Sequence, residues 1–99
     1  MKYENAKIVE AGLYYIGHFR TACIKIELET RGGGACVTIP VAKVEELLDL
    51  FTDEVDENIE DGFYVHHLKG LPVRMLLDGT GKIIAIGDIL SEEDEMLKL

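Results

Sequence analysis

Residues 21–39 read TACIKIELETRGGGACVTI, which is two alternating segments separated by a run of three glycines. Apolar and polar side chains alternate through residues 21–30 and again through residues 35–39. This period of two is typical of half-buried β-strands, because successive side chains of a strand point to opposite faces of a sheet. Glycines between two such segments favour a turn. The stretch therefore predicts an antiparallel β-hairpin.

The register of this hairpin follows from the requirement that both apolar faces coincide. Pairing Thr30 with Ala35 places Leu28 opposite Val37, and the apolar side chains of both strands then share one face. A slip of one residue would put the two apolar sets on opposite faces of the sheet. We therefore predict that Thr30 lies opposite Ala35.

An amphipathic helix is predicted directly after the hairpin. Pro40 suits a first helical position, where its missing N–H removes no intrahelical bond. Apolar residues then recur at steps of three and four, and acidic residues lie between them. This spacing predicts a helix over about residues 40–52 that packs one apolar stripe against a sheet. The stripe consists of Val41, Val44, Leu47, Leu48 and Phe51.

The remaining strands complete a small sheet. Alternation predicts strands at residues 6–15 and 71–77, and a strand that is apolar on both sides at residues 82–90,. Strands buried on both faces are usually central in a sheet. Residues 63–68 suit a strand or a short helix, and we favour the strand. The predicted fold class is α+β: a mainly antiparallel sheet of about five strands with one main helix packed on one face.

Chain length and composition predict one domain over residues 1–99,. Within it we predict an exposed acidic loop at residues 52–62 and an acidic C-terminal tail or short helix at residues 91–99. No apolar run approaches the length of a membrane span, and residues 1–10 have no apolar signal core,. The expected location is the cytoplasm, without a membrane partner.

The net charge of −9 is distributed unevenly. Residues 1–43 carry a balance of +2, whereas residues 44–99 carry −11. A strongly negative field repels phosphate, so direct binding to nucleic acid is disfavoured. The same field attracts a partner with a basic surface.

The segment Asp78-Gly79-Thr80-Gly81-Lys82 resembles a phosphate-binding loop in its glycines and lysine. A P-loop requires glycine five positions before Gly81, where this chain has Leu76, and a hydroxyl residue after Lys82, where it has Ile83,. A helix must also follow, but the pattern here predicts a strand. We interpret the segment as a turn between two strands.

No catalytic or metal-binding signature accompanies these features. His66 and His67 are adjacent, so on a strand they would face opposite sides and not one metal ion,. The predicted register separates Cys23 from Cys36 by about six residues, roughly 20 Å, which is too far for a disulfide. We predict reduced structural cysteines, no catalytic residue, no metal and no cofactor, and hence a non-enzymatic protein.

Nine acids within residues 45–61, with no base among them, form the candidate partner-binding surface. One interpretation is a solvated face that aids solubility. The other is a surface for a basic partner, including mimicry of nucleic acid. The nine candidates are Glu45, Glu46, Asp49, Asp53, Glu54, Asp56, Glu57, Glu60 and Asp61.

Two alternatives remain open. An oligomeric binder of a nucleotide signal would use Arg20, Arg31 or Arg74 in a pocket between subunits. A self-assembling structural protein, as a homodimer or a higher oligomer, is the other alternative. The aromatic residues near residues 14–19 suit either a contact patch or the core,.

Four segments resemble a family of small, mostly uncharacterised phage and prophage proteins. They are Glu4–Ile8, Gly17–Ile24 with its Arg20-Thr21-Ala22-Cys23-Ile24 ending, Gly70–Arg74 and Gly81–Leu90. The glycine-rich middle is shorter here than in that family, and an acidic tail replaces an aromatic ending. The resemblance implies a phage accessory protein that binds and inhibits a host defence or nucleic-acid-handling protein.

Overall fold

The computed structural model describes residues 1–51 and 64–99. Within these ranges the chain forms a six-stranded antiparallel sheet in the order β3-β2-β1-β4-β5-β6. The sheet has one strand more than the five predicted, and the α+β class holds in its broad form. The strands are β1 (Lys2–Ile16), β2 (Thr21–Thr30), β3 (Gly33–Pro40), β4 (Pro72–Leu77), β5 (Ile83–Gly87) and β6 (Leu97–Lys98).

The predicted β2–β3 hairpin forms, but in a different register. Thr30 lies opposite Gly33, and Leu28 lies opposite Ala35 instead of Val37. The loop is therefore only Arg31-Gly32, and Gly33 accommodates it with a φ of 133° that favours glycine,. The error is an even number of residues, so the apolar faces still coincide as predicted.

The helix is shorter than predicted. A 3-10 helix covers Val41–Lys43, and the α-helix α1 covers only Val44–Asp49. Pro40 does not open the helix, because it has extended dihedral angles and is still paired with Cys23 in the sheet. Pro40 therefore belongs to the sheet, although the sequence pattern assigned it to the helix.

The segment before β4 is also helical, which corrects the predicted strand at residues 63–68. Val65–Leu68 form a 3-10 helix in which the N–H of His67 donates to the carbonyl of Tyr64 at 2.9 Å. The N–H of Tyr64 donates in return to Nδ1 of His67 at 3.1 Å. The second bond caps the helix, because it satisfies an N–H group that the helix start otherwise leaves open,.

The main core lies on one face of the sheet and is covered by the helical segments. Leu47 within α1, Phe51 two residues after its end, and Leu68 are fully buried in this core. The sheet residues of this core include Ile8, Ile24, Ile26, Leu28, Val37, Ile39, Val73, Met75, Ile86 and Leu97.

A smaller cluster lies on the opposite face, where Leu76, Ala85 and Met96 pack together. The segment 88–96 passes over this face before β6 pairs with β5. Because β5 lies between β4 and the two-residue strand β6, it is next to the edge of the sheet, and its predicted central position is wrong.

The sheet coils so that its two ends approach each other. Residues of β3 and β5, with Leu99, line one groove. The Nζ of Lys43, just after β3, donates to the carbonyl of Lys98 in β6 at 3.1 Å. The curvature wraps the sheet around the core that α1 covers.

The segment between β4 and β5 is a turn, as predicted. The Asp78 carboxylate accepts the hydroxyl of Thr80 at 2.6 Å and the N–H groups of Thr80 and Lys82 at 2.8 and 3.0 Å. These N–H groups are thus already bonded, whereas a phosphate loop presents its N–H groups to the ligand. Gly81 has a φ of 86°, which explains glycine at this position,.

Substituting Asp78 by Asn should lower the melting temperature at neutral pH. The Thr80 hydroxyl, followed by the N–H groups of Lys82 and Thr80, holds the pKa of the Asp78 carboxyl below its ordinary value. A depressed pKa stabilises the fold above the pKa of the unfolded chain, about 3.9, and this contribution is lost as the pH falls through the folded pKa. Thermal unfolding followed from neutral to acidic pH should show the difference between wild type and Asp78→Asn shrink below about pH 4. A difference that persists unchanged in acid would contradict this account.

Candidate interaction surfaces

The described part of the predicted acidic surface lies on α1. Leu47 faces the core, whereas Glu45, Glu46 and Asp49 are exposed. The apolar side of the helix thus fixes its orientation and directs the carboxylates outward. Glu45 and Glu46 also lie in the first turn, where the helix dipole favours negative charge,.

The other six acids of this surface are outside the described residues: Asp53, Glu54, Asp56, Glu57, Glu60 and Asp61. The predicted acidic loop at residues 52–62 lies there too. From Val44 to Leu68 the sequence contains no lysine or arginine.

The three arginines of the alternative nucleotide site are spread over the fold. Arg20 and Arg31 flank the two ends of β2, so about 30 Å of strand separates them,. Arg74 lies on β4. One chain does not bring Arg20 and Arg31 into one pocket, and a pocket between subunits stays a prediction.

Arg74 is bound within its own chain. Its guanidinium carbon lies 4.9 Å from the centroid of the Tyr3 ring, and Nη1 donates to the carbonyl of Ser91 at 3.0 Å. Its Nε is buried without a hydrogen-bond partner among the described residues. These contacts hold the segment 88–96 against the sheet.

His66 and His67 are both exposed on the 3-10 helix, whereas the predicted strand would have placed them on opposite faces. Their ring centroids lie 4.6 Å apart, and the Tyr64 ring stacks on His66 at 5.1 Å. Nδ1 of His67 already accepts the N–H of Tyr64. Among residues 1–51 and 64–99, no group of three potential metal ligands comes together.

The cysteines occupy different environments. Cys23 is buried opposite Tyr14 and Pro40, whereas Cys36 is exposed on β3 opposite Glu27. Both are free thiols.

A second surface lies at the end of the β1–β2 hairpin, which we call the arm (residues 12–25). Leu13, Tyr15 and Phe19 are 73%, 61% and 77% exposed, although they are large and apolar. Tyr14 is also exposed, and Nζ of Lys25 lies 4.7 Å from its ring centroid. None of these aromatic residues is in the core, so the core interpretation is wrong, and a contact patch stays a prediction.

Leu13 shows what the sequence pattern missed. It continues the apolar alternation of Ala11 and lies opposite the buried Ile24, which predicts burial, yet it is exposed. The pairing of the strands gives one reason: β4 pairs with β1 only as far as Lys7, so that side of Leu13 has no neighbouring strand among the described residues.

Comparison with known proteins gives no relative. No family model matches the chain, and no curated protein or solved structure matches it either.

None of the helices in residues 1–51 and 64–99 has the length and apolar character needed to cross a bilayer.

Proposed function

We propose that the protein is a non-enzymatic binding protein whose acidic surface binds a partner with a basic surface. The supporting observation is the orientation of α1, which buries Leu47 and exposes Glu45, Glu46 and Asp49. Carboxylates held on an anchored helix present a fixed negative surface, and complementary charge increases the rate and specificity of association.

Charge density supports the same function. The nine acids of this surface lie within 17 residues of sequence, with no base among them. A basic surface that normally binds phosphate is the complementary partner, because closely spaced carboxylates present charge in a similar way. The resemblance to phage and prophage proteins makes a host defence or nucleic-acid-handling protein the expected class.

Charge reversal on α1 tests this function. We expect the wild type to retain a basic protein from bacterial lysate at about 0.05 M salt and to lose it at about 0.5 M, where charges are screened within a few ångströms. The variant Glu45→Lys/Glu46→Lys should retain much less. With the purified partner, calorimetry should show at least about 10-fold weaker binding for the variant.

The matched control is Glu93→Lys/Asp94→Lys, which changes the net charge by the same amount on another exposed segment. We expect this control to bind like the wild type. Equal loss in both variants would show a response to net charge alone, and equal retention in both would refute the role of α1.

A further inference from the structure

The arm combines exposed apolar side chains with an absence of acids. Between Glu10 and Glu27 the sequence contains Arg20 and Lys25 but no aspartate or glutamate. The remainder of the chain carries all 19 acids, against 8 bases. The arm is therefore an apolar and weakly basic surface on a protein of net charge −9.

The arm extends beyond its structural support. On one side, pairing of β3 with β2 ends at Pro40 and Cys23. On the other side, pairing of β4 with β1 ends at Lys7 and Pro72, and no strand among the described residues continues along β1. A two-stranded ribbon is only marginally stable in water, so a further contact is favourable for it.

The face of the arm that needs cover is the continuation of the core face. Ala11 is buried on this face, and the next two side chains that share it, Leu13 and Tyr15, are exposed. At the tip, Phe19 is exposed beside Arg20. Contiguous exposed apolar side chains of this kind mark an interaction site.

The charge of the arm identifies its occupant. Nζ of Lys25 lies 3.7 Å from Oε1 of Glu27, so the charge of the arm rests mainly on Arg20. Arm against arm would bring the Arg20 side chains of two copies together, which is unfavourable, whereas an acidic surface is complementary. A second copy of this chain supplies such a surface on α1, at Glu45 and Glu46, and on the C-terminal segment, at Glu93 and Asp94. We propose that the arm binds an acidic surface of a second copy of this chain, forming a homodimer or a longer assembly.

This proposal does not depend on the proposed function. Exchange of arms about a two-fold axis would give a closed dimer, whereas a head-to-tail contact would give an open assembly.

Sedimentation equilibrium of the full chain tests self-association directly. We expect a mass of two copies or more for the wild type, and at least about 10-fold weaker association for Leu13→Ser, since the variant removes most of a buried leucine's transfer energy. The matched control is Leu90→Ser, because Leu90 is 80% exposed elsewhere on the protein. A wild type that is monomeric up to the highest soluble concentration would overturn the proposal, as would equal effects of both substitutions.

A charge exchange tests the occupant. Arg20 has a φ of 50°, which Asp and Asn tolerate, so Arg20→Asp reverses the charge without strain and Arg20→Asn only removes it,. We expect the order wild type, Arg20→Asn, Arg20→Asp from tightest to weakest self-association. Glu45→Lys/Glu46→Lys or Glu93→Lys/Asp94→Lys should also weaken it, although each lowers the repulsion between copies by reducing the net negative charge.

Mixing the variants gives the decisive result. Arg20→Asp mixed with the lysine variant of the receiving surface should associate more tightly than either alone, because each arm then meets a surface of opposite charge. The mixture that associates identifies which acidic surface receives the arm. If the wild type associates and neither mixture does, the arm does not bind an acidic surface of its copy, and the proposal fails.

Discussion

Phe51→Ala is expected to destabilise the protein by about 3–5 kcal/mol, the usual cost of removing a buried aromatic ring from a core. Phe51 lies two residues after the end of α1 and is fully buried in the main core with Leu47 and Leu68. A domain of this size has a total stability of about 5–15 kcal/mol, so the variant should be partly unfolded or melt at a much lower temperature. Urea denaturation followed by circular dichroism measures the change.

The control for this substitution is Phe19→Ala, the same change at a side chain that is 77% exposed on the arm. It should alter the free energy of unfolding by less than about 0.5 kcal/mol in the monomer. Measuring both variants at low protein concentration separates folding from self-association. Similar costs at the two positions would mean that Phe51 does not anchor the helix against the sheet.

Alternation of apolar and polar residues predicted the strands well, because a strand that buries one face has a period of two whichever strand it pairs with. It predicted the face of each β2–β3 residue and missed the register by an even number of residues. The apolar pattern is the same for both registers, so only the turn can choose between them. Here Gly33, with its positive φ, permits a loop of two residues.

The helix and the arm show a different limit. Periodicity extended the helix to Pro40, but a proline at a strand end suits the sheet as well, and pairing with Cys23 decided the outcome. Leu13 has the pattern of a core residue and is exposed, because burial also depends on what covers the sheet,. Which part of a sheet is covered by other segments depends on the tertiary structure, and the pattern of a single strand does not predict it.

The features of the candidate surfaces also differ in whether the sequence could predict them. The exposure of Glu45 and Glu46 follows from the helical period and was predictable from the sequence,. The separation of Arg20 from Arg31 by the length of β2 follows from the topology. The contact between Arg74 and Ser91 depends on the path of the C-terminal segment, which no local pattern specifies.

Gly87→Ala is expected to destabilise the protein by about 1–3 kcal/mol, because it overpacks a closed contact. A Cβ at Gly87 would lie 3.0 Å from Cγ of Met96 and from both Cβ and Oγ of Ser91. Gly87 is opposite Arg74 in β4, and Nη1 of Arg74 donates to the carbonyl of Ser91. The segment 88–96 is therefore held close to this face and cannot easily move away from a new Cβ. Chemical denaturation measures the cost.

Gly12 provides the matched control, since it is also in a strand and a Cβ there would meet nothing within 4 Å. Gly12→Ala should therefore stabilise the protein by about 0.4–1 kcal/mol, by restricting the unfolded chain. Ser91→Gly removes two of the three atoms that a Cβ at Gly87 would meet, so Gly87→Ala should cost less in that background. An undiminished cost in the double variant would assign the strain to Met96, the remaining contact. A diminished cost would show that the segment 88–96 packs tightly on this face through Ser91, whose carbonyl also binds Arg74.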